Sequence, residues 1–560
     1  MSKQFSFGAS PIVKMRRSRF DLSHDVKTSC NLGTLYPIDV QEVLPGDTFK
    51  SKTTQVVRLS STFIRPVMDN IYMDTYYFFV PNRIVFDGWE ETMGENKQSA
   101  WSNLDPPEVP ATISSMVVFP GSVGDYMGLP VSIASLPKGI NVLPFRGFAM
   151  IYDQWFRNEN VIDPMLIQKG VTSTSELFNG NSWSPKNYTG KPPRVGKRKD
   201  YFTACLPSPQ KGDSVQLPLS GDAPVRNAVE SVSGSADSNN LLNPHFYSNT
   251  GSALYGDADG YLSYYGSNGN NGMSIVHPSD GIEGSAIRGF MSLVADMSKV
   301  SSADVNDLRM AFQLQKMLEK DARYGTRYRE YLLGHFGVSN PDARMQIPEF
   351  LGGSRMPVNV QQVAQTNTQE KDSAGSVQSP LASLAAMSQS VGRSRFTKSF
   401  TEHGFVFTCV CFRQLHTYQQ GINKMWHRRK RSDYYDPLFA NLGEQPVWRS
   451  EIYAPGETEL QDDVFGYNEA WADYRYKPSQ ITGQMRNQVL GSLSVWHLGD
   501  FYGNAPVLSK EFIEESPVNI DRSVSVPSTK QDNFICDFHF ETQAFRVMPV
   551  YSVPGLVDHH

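Results

Sequence analysis

The alternation of apolar and polar residues predicts β-strands at both ends of the chain. Between Leu35 and Val80 the pattern is that of strands, and IYMDTYYFFVP has apolar or aromatic residues on both faces before Pro81 ends it. FICDFHFE, near the C-terminus, alternates strictly between an apolar and a mostly polar face. In FVFTCVCF one face collects Phe405, Phe407, Cys409 and Cys411. We therefore predict a mainly β protein, one elaborated sandwich whose first and last strands complete the same sheets.

Segments between these strands have helical periodicity instead. PFRGFAMIYDQWFRNENV repeats large apolar residues every three or four positions after Pro144, which predicts a helix. A second helix is predicted in SSADVNDLRMAFQLQKMLEKDARY, where Ser301 and Asp304 have capping-box spacing with Asp in place of Glu. TRYREYLLGHFGV predicts a short helix that ends at Gly334 or Gly337.

Two regions differ from this β pattern. Lys14, Arg16, Arg17 and Arg19 lie in an opening segment without apolar periodicity, and such basic arms bind nucleic acid or remain solvated. Gly, Ser, Asn, Asp and Tyr dominate a second region, which we interpret as an insertion projecting from the body. Disorder is the alternative there, and the many tyrosines argue against it. The predicted organisation is an arm (1–30), the first part of the sandwich with helical insertions (31–185), the insertion (186–284), and helices, long loops and the remaining strands (285–560).

Composition and charge narrow the class of protein. The 560 residues include 43 Gly and 35 Pro, which favours strands joined by long loops. A formal net charge of −5 argues against wholesale coating of nucleic acid but permits a local basic patch. The 5 scattered cysteines predict reduced thiols. No stretch approaches a membrane span and the N-terminus lacks a secretory pattern, so we expect a protein kept in a cytoplasm unless it leaves by lysis or inside a particle.

The sequence offers no active site. Nucleophile-elbow, phosphate-loop, HExxH and GxGxxG motifs are absent, and GDADG contains only the start of a calcium loop. The carboxylate pairs Glu90–Glu91 and Glu514–Glu515 have polar sequence neighbours, so we expect no apolar pocket that would raise a carboxyl pKa. We predict no enzymatic activity, no cofactor and no metal. One set of residues could be interpreted as a zinc site: His403, Cys409, Cys411 and His416. We favour the alternative that the two cysteines are buried thiols of a core strand.

A long block at residues 416–457, HTYQQGINKMWHRRKRSDYYDPLFANLGEQPVWRSEIYAPGE, carries a family resemblance. It resembles the major capsid proteins of gokushoviruses, the Microviridae branch of small single-stranded DNA phages. Residues 186–284 fit this family worst. Other matching segments cover most of the chain in order: KMRRSRFDLSHDVKTSCNLGTLYPIDVQEVLPGD, LPFRGFAMIYDQWFRNENV, NDLRMAFQLQKMLEKDARYGTRYREYLLGHFGV, PEFLGGSRMPVNVQQVAQT, SFTEHGFVF and VFGYNEAWADYRYKPSQITG.

The resemblance implies an architecture and a set of partners. It implies an eight-stranded antiparallel jelly roll with large insertions, one copy per asymmetric unit of a small icosahedral shell. It also implies a circular single-stranded DNA genome, a small basic packaging protein, a scaffolding protein, and a threefold protrusion formed by the insertion that meets the bacterial host. The protein is then a virion component assembled in the host cytoplasm, without membrane insertion.

Three groups of residues are candidates for contact with these partners. For the cations of the arm, Lys14, Arg16, Arg17 and Arg19, we favour the shell interior and DNA. For the basic run in KMWHRRKRSDYY we favour subunit contact over DNA contact, and either over a solvated loop; its candidates are Trp426, Arg428, Arg429, Lys430 and Arg431. The insertion offers tyrosines for host recognition, with a purely structural threefold contact as the alternative: Tyr247, Tyr255, Tyr261, Tyr264 and Tyr265.

Two rival functions remain open at the level of the sequence. A carbohydrate-binding or carbohydrate-active β-sandwich would need an aromatic cleft with convergent carboxylates, and the sequence identifies no such pair. A monomeric nucleic-acid-binding protein is disfavoured by the acidic net charge.

Overall fold

The computed structural model of the chain divides into two compact units, Met1–Lys211 with Glu319–His560, and Gly212–Leu318. The predicted boundaries of the arm and of the insertion stay predictions. The residues that the structure describes are 16–95, 106–112, 117–131, 136–171, 182–213, 215, 225–227, 261–267, 270–276, 293–295, 305–324, 333–336, 346–364, 366, 383–456, 459–461 and 463–551.

Strands dominate the described part of the chain, as the alternation predicts. In chain order they are β1 (Ser18–Asp21), β2 (His24–Cys30), β3 (Tyr36–Val43), β4 (Thr48–Leu59), β5 (Ile71–Pro81), β6 (Val225–Asn227), β7 (Tyr261–Ser267), β8 (Asn270–Val276), β9 (Leu293–Ala295), β10 (Glu349–Val358), β11 (Val360–Ala364), β12 (Leu384–Ser399), β13 (Gly404–Gln414), β14 (Gln445–Trp448), β15 (Val464–Asn468) and β16 (Phe534–Arg546).

Most of the described helices are single turns. The α-helices are α1 (Asn82–Val85), α2 (Trp89–Thr92), α3 (Val123–Tyr126), α4 (Leu143–Ile151), α5 (Val305–Tyr324), α6 (Ala472–Arg475), α7 (Lys510–Ile513) and α8 (Val518–Asp521). Residues 333–336 are also helical, within the short helix that the sequence predicts. The 3₁₀ turns are Lys424–His427, Arg431–Asp433, Pro437–Phe439, Arg449–Glu451, Gly483–Met485 and Ser494–Trp496.

Two antiparallel sheets form the body of the first unit. In the larger sheet β1 and β2 both pair with β16, and β4, β12 and β11 follow in that order. In the smaller sheet the order is β10, β5, β13 and β3. Strands from the two ends of the chain therefore complete the same sheet, which confirms that prediction.

The two sheets face each other across a core built from alternate residues of their strands. The rings of Phe412 on β13 and Phe534 on β16 stack with centroids 4.1 Å apart. Several buried polar groups in this core are paired: Tyr77 donates a hydrogen bond to Thr53 (2.7 Å), and Thr75 donates one to Gln55 (2.9 Å). On β16, buried and exposed residues alternate along most of the strand, as predicted.

The outer face of the smaller sheet is covered by α4. Nearly all residues of β5 are buried because one of its faces meets the larger sheet and the other meets α4 and its surroundings. Cys409 and Cys411 pack in the same apolar cluster as Phe148 of α4. The helix continues as a π-helical turn, Tyr152–Phe156, and ends there rather than near Val161 as the periodicity predicts.

The end of this helix has a physical cause in one ion pair. Arg157 leaves the helical conformation (φ −69°, ψ 130°) and its Nε donates to the Asp153 carboxylate at 2.7 Å. Its guanidinium also donates to the carbonyl of Ile162 at 2.9 Å, which turns the chain away from the helix axis. The periodic residues beyond Phe156 therefore belong to a loop.

A loop-rich part of the first unit, residues 415–533, packs around an aromatic cluster that it shares with the segment around Phe202. The Phe202 ring lies 4.8 Å from that of Tyr418, and the Phe465 ring lies 5.0 Å from that of Phe512. These rings tie the segment around Phe202 to the strands β14 and β15. The cluster gives the basic run a fixed support despite the small amount of regular structure.

The second unit contains two small antiparallel pairs, β6 with β9 and β7 with β8. Three of the predicted host-recognition tyrosines, Tyr261, Tyr264 and Tyr265, lie in β7, where Tyr261 is opposite Val276. Tyr247 and Tyr255 lie outside the described residues, as do the capping candidates Ser301 and Asp304. Helix α5 begins in this unit and is the second helix that the sequence predicts.

Candidate functional site

The basic run is held in a defined backbone conformation by short side chains on either side of it. Asn423 accepts a hydrogen bond from the backbone N–H of Met425 (3.0 Å) at the start of the 3₁₀ turn Lys424–His427. The Asp433 carboxylate accepts from the backbone N–H groups of Arg429 (2.9 Å) and Lys430 (2.8 Å). The cations are therefore carried on an ordered loop, and those bonds hold the pKa of Asp433 below its usual value.

Arg428 points into the protein and is neutralised there. Its side chain is 8% exposed and forms an ion pair with Asp473. Its Nε donates to the carbonyl oxygen of Asp433 at 2.9 Å, and its guanidinium lies 4.2 Å from the centroid of the Tyr474 ring. Of the five candidate residues in the run, Arg428 thus joins the loop to α6 rather than presenting its charge to solvent.

Three cations of the run face solvent instead. Arg429, Lys430 and Arg431 are exposed and form no ion pair with any residue that the structure describes. Trp426 beside them is 67% exposed. These three cations and this indole remain available for contact with another molecule.

Carboxylates near the run in sequence are already occupied within the chain. Glu444 accepts from Arg323 at 2.7 Å, and Glu451 accepts from the Tyr201 hydroxyl at 2.8 Å and from the Trp448 backbone N–H at 2.9 Å. Neither Glu444 nor Glu451 is therefore available to neutralise Arg429–Arg431.

Large exposed apolar side chains lie on both sides of these cations in the sequence. We name the following exposed set the 425–442 surface: Met425, Trp426, Arg429, Lys430, Arg431, Tyr434, Tyr435, Leu438, Phe439 and Leu442. Leu438 is 90% exposed, the state of a side chain with almost no cover from its own chain. A contiguous sequence segment that exposes so many apolar and aromatic side chains indicates an interaction site rather than a solvated loop.

His427 lies beneath this surface and does not add to its charge. It is buried, and its Nε2 is 3.4 Å from the Ser450 hydroxyl. Burial, with the neighbouring Lys424 and Arg428, lowers the pKa of His427 to about 4. The imidazole is therefore neutral at physiological pH, and the charge of the surface comes from Arg429–Arg431.

The cations of the N-terminal arm are described in part. Arg16, Arg17 and Arg19 are exposed, and Arg19 lies in β1 opposite Phe545. Lys14 lies outside the described residues. The prediction that this cluster meets DNA stays a prediction.

The residues considered for zinc do not come together. Both nitrogens of His416 contact carboxylates, Asp500 at 3.0 Å and Glu515 at 3.0 Å, while the ring of His403 packs against that of Trp89. Cys409 and Cys411 are buried thiols of β13. Within the described residues no group of three or more potential ligands is placed to hold a metal ion.

The expectation that no apolar pocket raises a carboxyl pKa was wrong for the pair Glu514–Glu515. Glu515 is fully buried, and burial raises the pKa of Glu514 to about 7, although its neighbours in sequence are polar. The burial comes from distant residues, among them His416, that the local sequence does not reveal.

Comparisons with known proteins agree along the whole chain. Residues 10–556 match the model of a family described as capsid protein (F protein). The chain is 39% identical to capsid protein VP1 of Chlamydia phage 1, with 98% of this chain and 97% of the relative covered. Identity to capsid protein VP1 is 36% for Bdellovibrio phage phiMH2K (99% and 98% covered) and 37% for Spiroplasma virus 4 (96% and 95% covered).

These matches confirm the resemblance to Microviridae capsid proteins. Among the described residues no helix has the length and apolar character needed to cross a membrane. The chain belongs to the phage capsid protein (F protein) family, and it is a structural component of the virion rather than an enzyme.

Proposed function

We propose that copies of this capsid protein assemble into a small icosahedral shell that encloses a circular single-stranded DNA genome, with an eight-stranded jelly roll as the building element. The carbohydrate-binding or carbohydrate-active alternative is set aside, because membership of the capsid family accounts for the sandwich. One observation carries the proposal of self-assembly: in a capsid-family chain, the 425–442 surface presents three exposed cations that form no ion pair with a described residue, together with exposed aromatic and apolar side chains.

The order of strand pairing supports the jelly roll. Eight strands of the two sheets pair from the outside of the chain inwards: β2 with β16, β3 with β13, β4 with β12, and β5 with β10. A long antiparallel hairpin rolled into two sheets produces this nesting, which is the connectivity of a jelly roll. In this interpretation β1 extends the first strand along the same edge of β16, and β11 is an addition at the far edge.

The 425–442 surface supports contact between copies better than contact with DNA. Leu438, Phe439 and Leu442 add apolar area that a phosphate backbone does not use, whereas the core of a protein interface does. Arginines beside such area pair with carboxylates of the neighbouring subunit. We propose that Trp426, Arg429, Lys430 and Arg431 lie at a boundary between subunits.

The assembly experiment uses the full-length chain. Sedimentation and electron microscopy are expected to find closed particles for the wild type and small species for R429E/K430E/R431E, because reversal places like charges at each repeated contact. A matched control reverses three other exposed cations that form no ion pair with a described residue, Lys138, Lys191 and Lys530. Equal assembly of both triple variants would remove the surface from the subunit boundary, and a wild type that stays monomeric with all partners supplied would refute shell formation.

For the N-terminal arm we propose contact with the genome on the inner wall. Cations there neutralise phosphates without reading sequence, so binding should weaken steeply with salt. Reversing Lys14, Arg16, Arg17 and Arg19 is expected to leave shells intact and reduce the DNA that they retain. Loss of the shells themselves would instead assign the arm to assembly. A small basic packaging protein and a scaffolding protein are proposed as further partners.

For the insertion, 186–284, we propose a threefold protrusion that contacts the bacterial host. Its mixture of Tyr, Ser, Gly and Asn suits adaptable recognition, because tyrosine gives contact area at a small entropic cost. Replacing the tyrosines of β7, Tyr261, Tyr264 and Tyr265, with serine is expected to reduce phage adsorption while particles still form. Intact particles with unchanged adsorption would leave the insertion with a structural role at the threefold contact.

A further inference from the structure

Three arginines converge on a single carboxylate at the outer face of the smaller sheet. Asp74 on β5 is buried and accepts from Nε of Arg355 on β10 at 2.7 Å. Arg413 on β13 approaches the same carboxylate at 3.6 Å, and Arg198, in the segment just before Phe202, approaches it at 3.8 Å. The cluster therefore holds two more guanidinium groups than Asp74 can neutralise.

Arg198 is the least satisfied member of this cluster. Its Nε and Nη2 atoms are buried without a hydrogen-bond partner among the described residues, and the guanidinium is held over the Tyr72 ring at 4.5 Å. Burial, together with the like charges of Arg355 and Arg413, lowers the pKa of Arg198. A buried cation with open donors is costly, so such a group usually meets water or an anion.

Nε of Arg413 is likewise buried without a hydrogen-bond partner among the described residues. Glu515, a further carboxylate that acts on Arg413, has one oxygen on His416 at 3.0 Å, and its other oxygen forms no hydrogen bond with Arg413 or any other described residue. Neutralisation of this cluster from within the described chain is therefore incomplete.

The cluster opens into a cleft of about 830 Å³ in the first unit, with Arg198 and Arg413 in its wall. That volume lies in the range of small-molecule sites, roughly 300–1,000 Å³. Exposed aromatic side chains of Trp155, Tyr324 and Tyr476 also line it. Cations on an open wall with aromatic faces beside them form the combination that binds phosphate and stacks a base.

Several other charges of the cleft are matched within the chain. Arg157 pairs with Asp153 (2.7 Å), and Arg323 pairs with Glu444 (2.7 Å). Asp200 is a carboxylate that faces the cleft, and its oxygens are occupied by donors that include the Tyr418 hydroxyl at 2.6 Å. The excess charge that a ligand would meet is therefore that of Arg198, with Arg413 behind it and the exposed Lys199 in the same lining.

We propose that this cleft binds the phosphate group of a nucleotide, free or within a single strand, on Arg198 and Arg413 with a base against Tyr476 or Trp155. Stacking on Tyr72 holds the Arg198 guanidinium in position before the ligand arrives. The proposal does not depend on shell formation, because it concerns binding by the chain and not assembly.

The test measures fluorescence anisotropy of a short fluorescein-labelled oligothymidylate on the full-length protein at low salt. Arg198→Gln is expected to weaken binding about tenfold and to reduce the salt slope by about one, because one phosphate contact is lost. Tyr476→Leu, at an exposed position, is expected to weaken binding roughly fivefold or more through lost stacking. The matched control is Arg83→Gln, whose side chain is 23% exposed against 21% for Arg198 and which lies outside the cleft.

Unlabelled thymidine 5′-monophosphate and inorganic phosphate then separate the two sources of phosphate. Competition by the mononucleotide assigns the site to a free nucleotide, and competition by longer strands alone assigns it to a nucleic-acid backbone. Arg198→Gln does not change binding through the basic run or the arm. The ratio of the Kd of Arg198→Gln to the Kd of Arg83→Gln therefore measures the contribution of the cleft. The proposal is overturned if the wild type does not bind the oligothymidylate. It is also overturned if Arg198→Gln and Arg83→Gln weaken binding equally while the circular dichroism of both variants is unchanged.

Discussion

At the scale of single residues, the buried side chain of His416 is held by ion pairs on both sides of its ring. Its two ring nitrogens bridge Asp500 and Glu515, and Lys197 lies 3.5 Å from Asp500. Burial opposes its protonation, but the two carboxylates outweigh burial and raise the pKa of His416 to about 10. The imidazole is thus a buried cation that joins β13 to the loop-rich part of the first unit.

Replacing His416 with leucine should lower the free energy of unfolding by about 3–5 kcal/mol, the cost of leaving a buried charge without its partner. Urea denaturation of the unassembled chain measures the loss. His403→Leu is the control, because the His403 ring is partly exposed, packs against Trp89 and forms no ion pair with a described residue, so a loss below about 1 kcal/mol is expected. Similar losses for both variants would show that ring packing, and not the ion pairs, matters at His416.

The same cluster gives a dependence on pH with a defined sign. The folded pKa of His416 lies above its ordinary value of 6.5, so its stabilisation is full below about pH 6.5 and is lost as the pH rises through about 10. The pKa of Asp500 is lowered despite burial, chiefly by His416, so its contribution is present above pH 3.8 and is lost on acidification. Unfolding measured from pH 7 to pH 10 should show the wild type losing more stability than His416→Leu, and parallel curves would contradict the assignment.

At the scale of elements, α4 and the smaller sheet approach each other closely at one glycine. A Cβ at Gly147 would lie 2.9 Å from the ring of Phe407 on β13, a side chain that is fully buried. The ring has no free space into which it can move, because the same apolar cluster surrounds it. Glycine is therefore required at position 147 by the helix-to-sheet packing rather than by the backbone conformation.

Gly147→Ala should lower the free energy of unfolding by about 1–3 kcal/mol through this clash, although alanine favours a helix by about 1 kcal/mol. Gly124→Ala in α3 is the control, since a Cβ there would meet Leu129 and Phe145 at an ordinary 3.4 Å. We expect that variant to be neutral or more stable. Thermal denaturation of both distinguishes the cases, and a stabilised Gly147→Ala would mean that α4 lies farther from β13.

The sequence predicts elements well where periodicity alone determines them. The segment at 71–81 is identified with its full length because both faces are apolar and Pro81 closes it. The sequence does not predict features that need partners distant in the chain. Arg428 is neutralised by Asp473, and Glu515 is buried against His416, so neither environment can be inferred from neighbours in sequence.

At the scale of the whole molecule, the fold depends on its last strand. β16 lies between β4 on one side and β1 with β2 on the other. Phe534 of β16 lies opposite Cys30 of the neighbouring strand β2. Its alternate residues Phe534, Cys536, Phe538 and Phe540 complete the core between the sheets. The larger sheet cannot close until these residues have been synthesised, so a chain that lacks them exposes two strand edges and an apolar face.

A chain that ends after Asn533 should therefore aggregate, and a synthetic peptide of residues 534–546 added during refolding should restore soluble, protease-resistant protein. The matched peptides carry Phe538→Asp, at a fully buried position, or Ile535→Asp, at a position 51% exposed. The first should fail, because it places a charge in the core, and the second should restore the fold. If the truncated chain is soluble and protease-resistant without any peptide, β16 is dispensable and the nested pairing does not determine the fold. If both substituted peptides restore soluble protein equally well, the strand binds without the register that places Phe534 opposite Cys30.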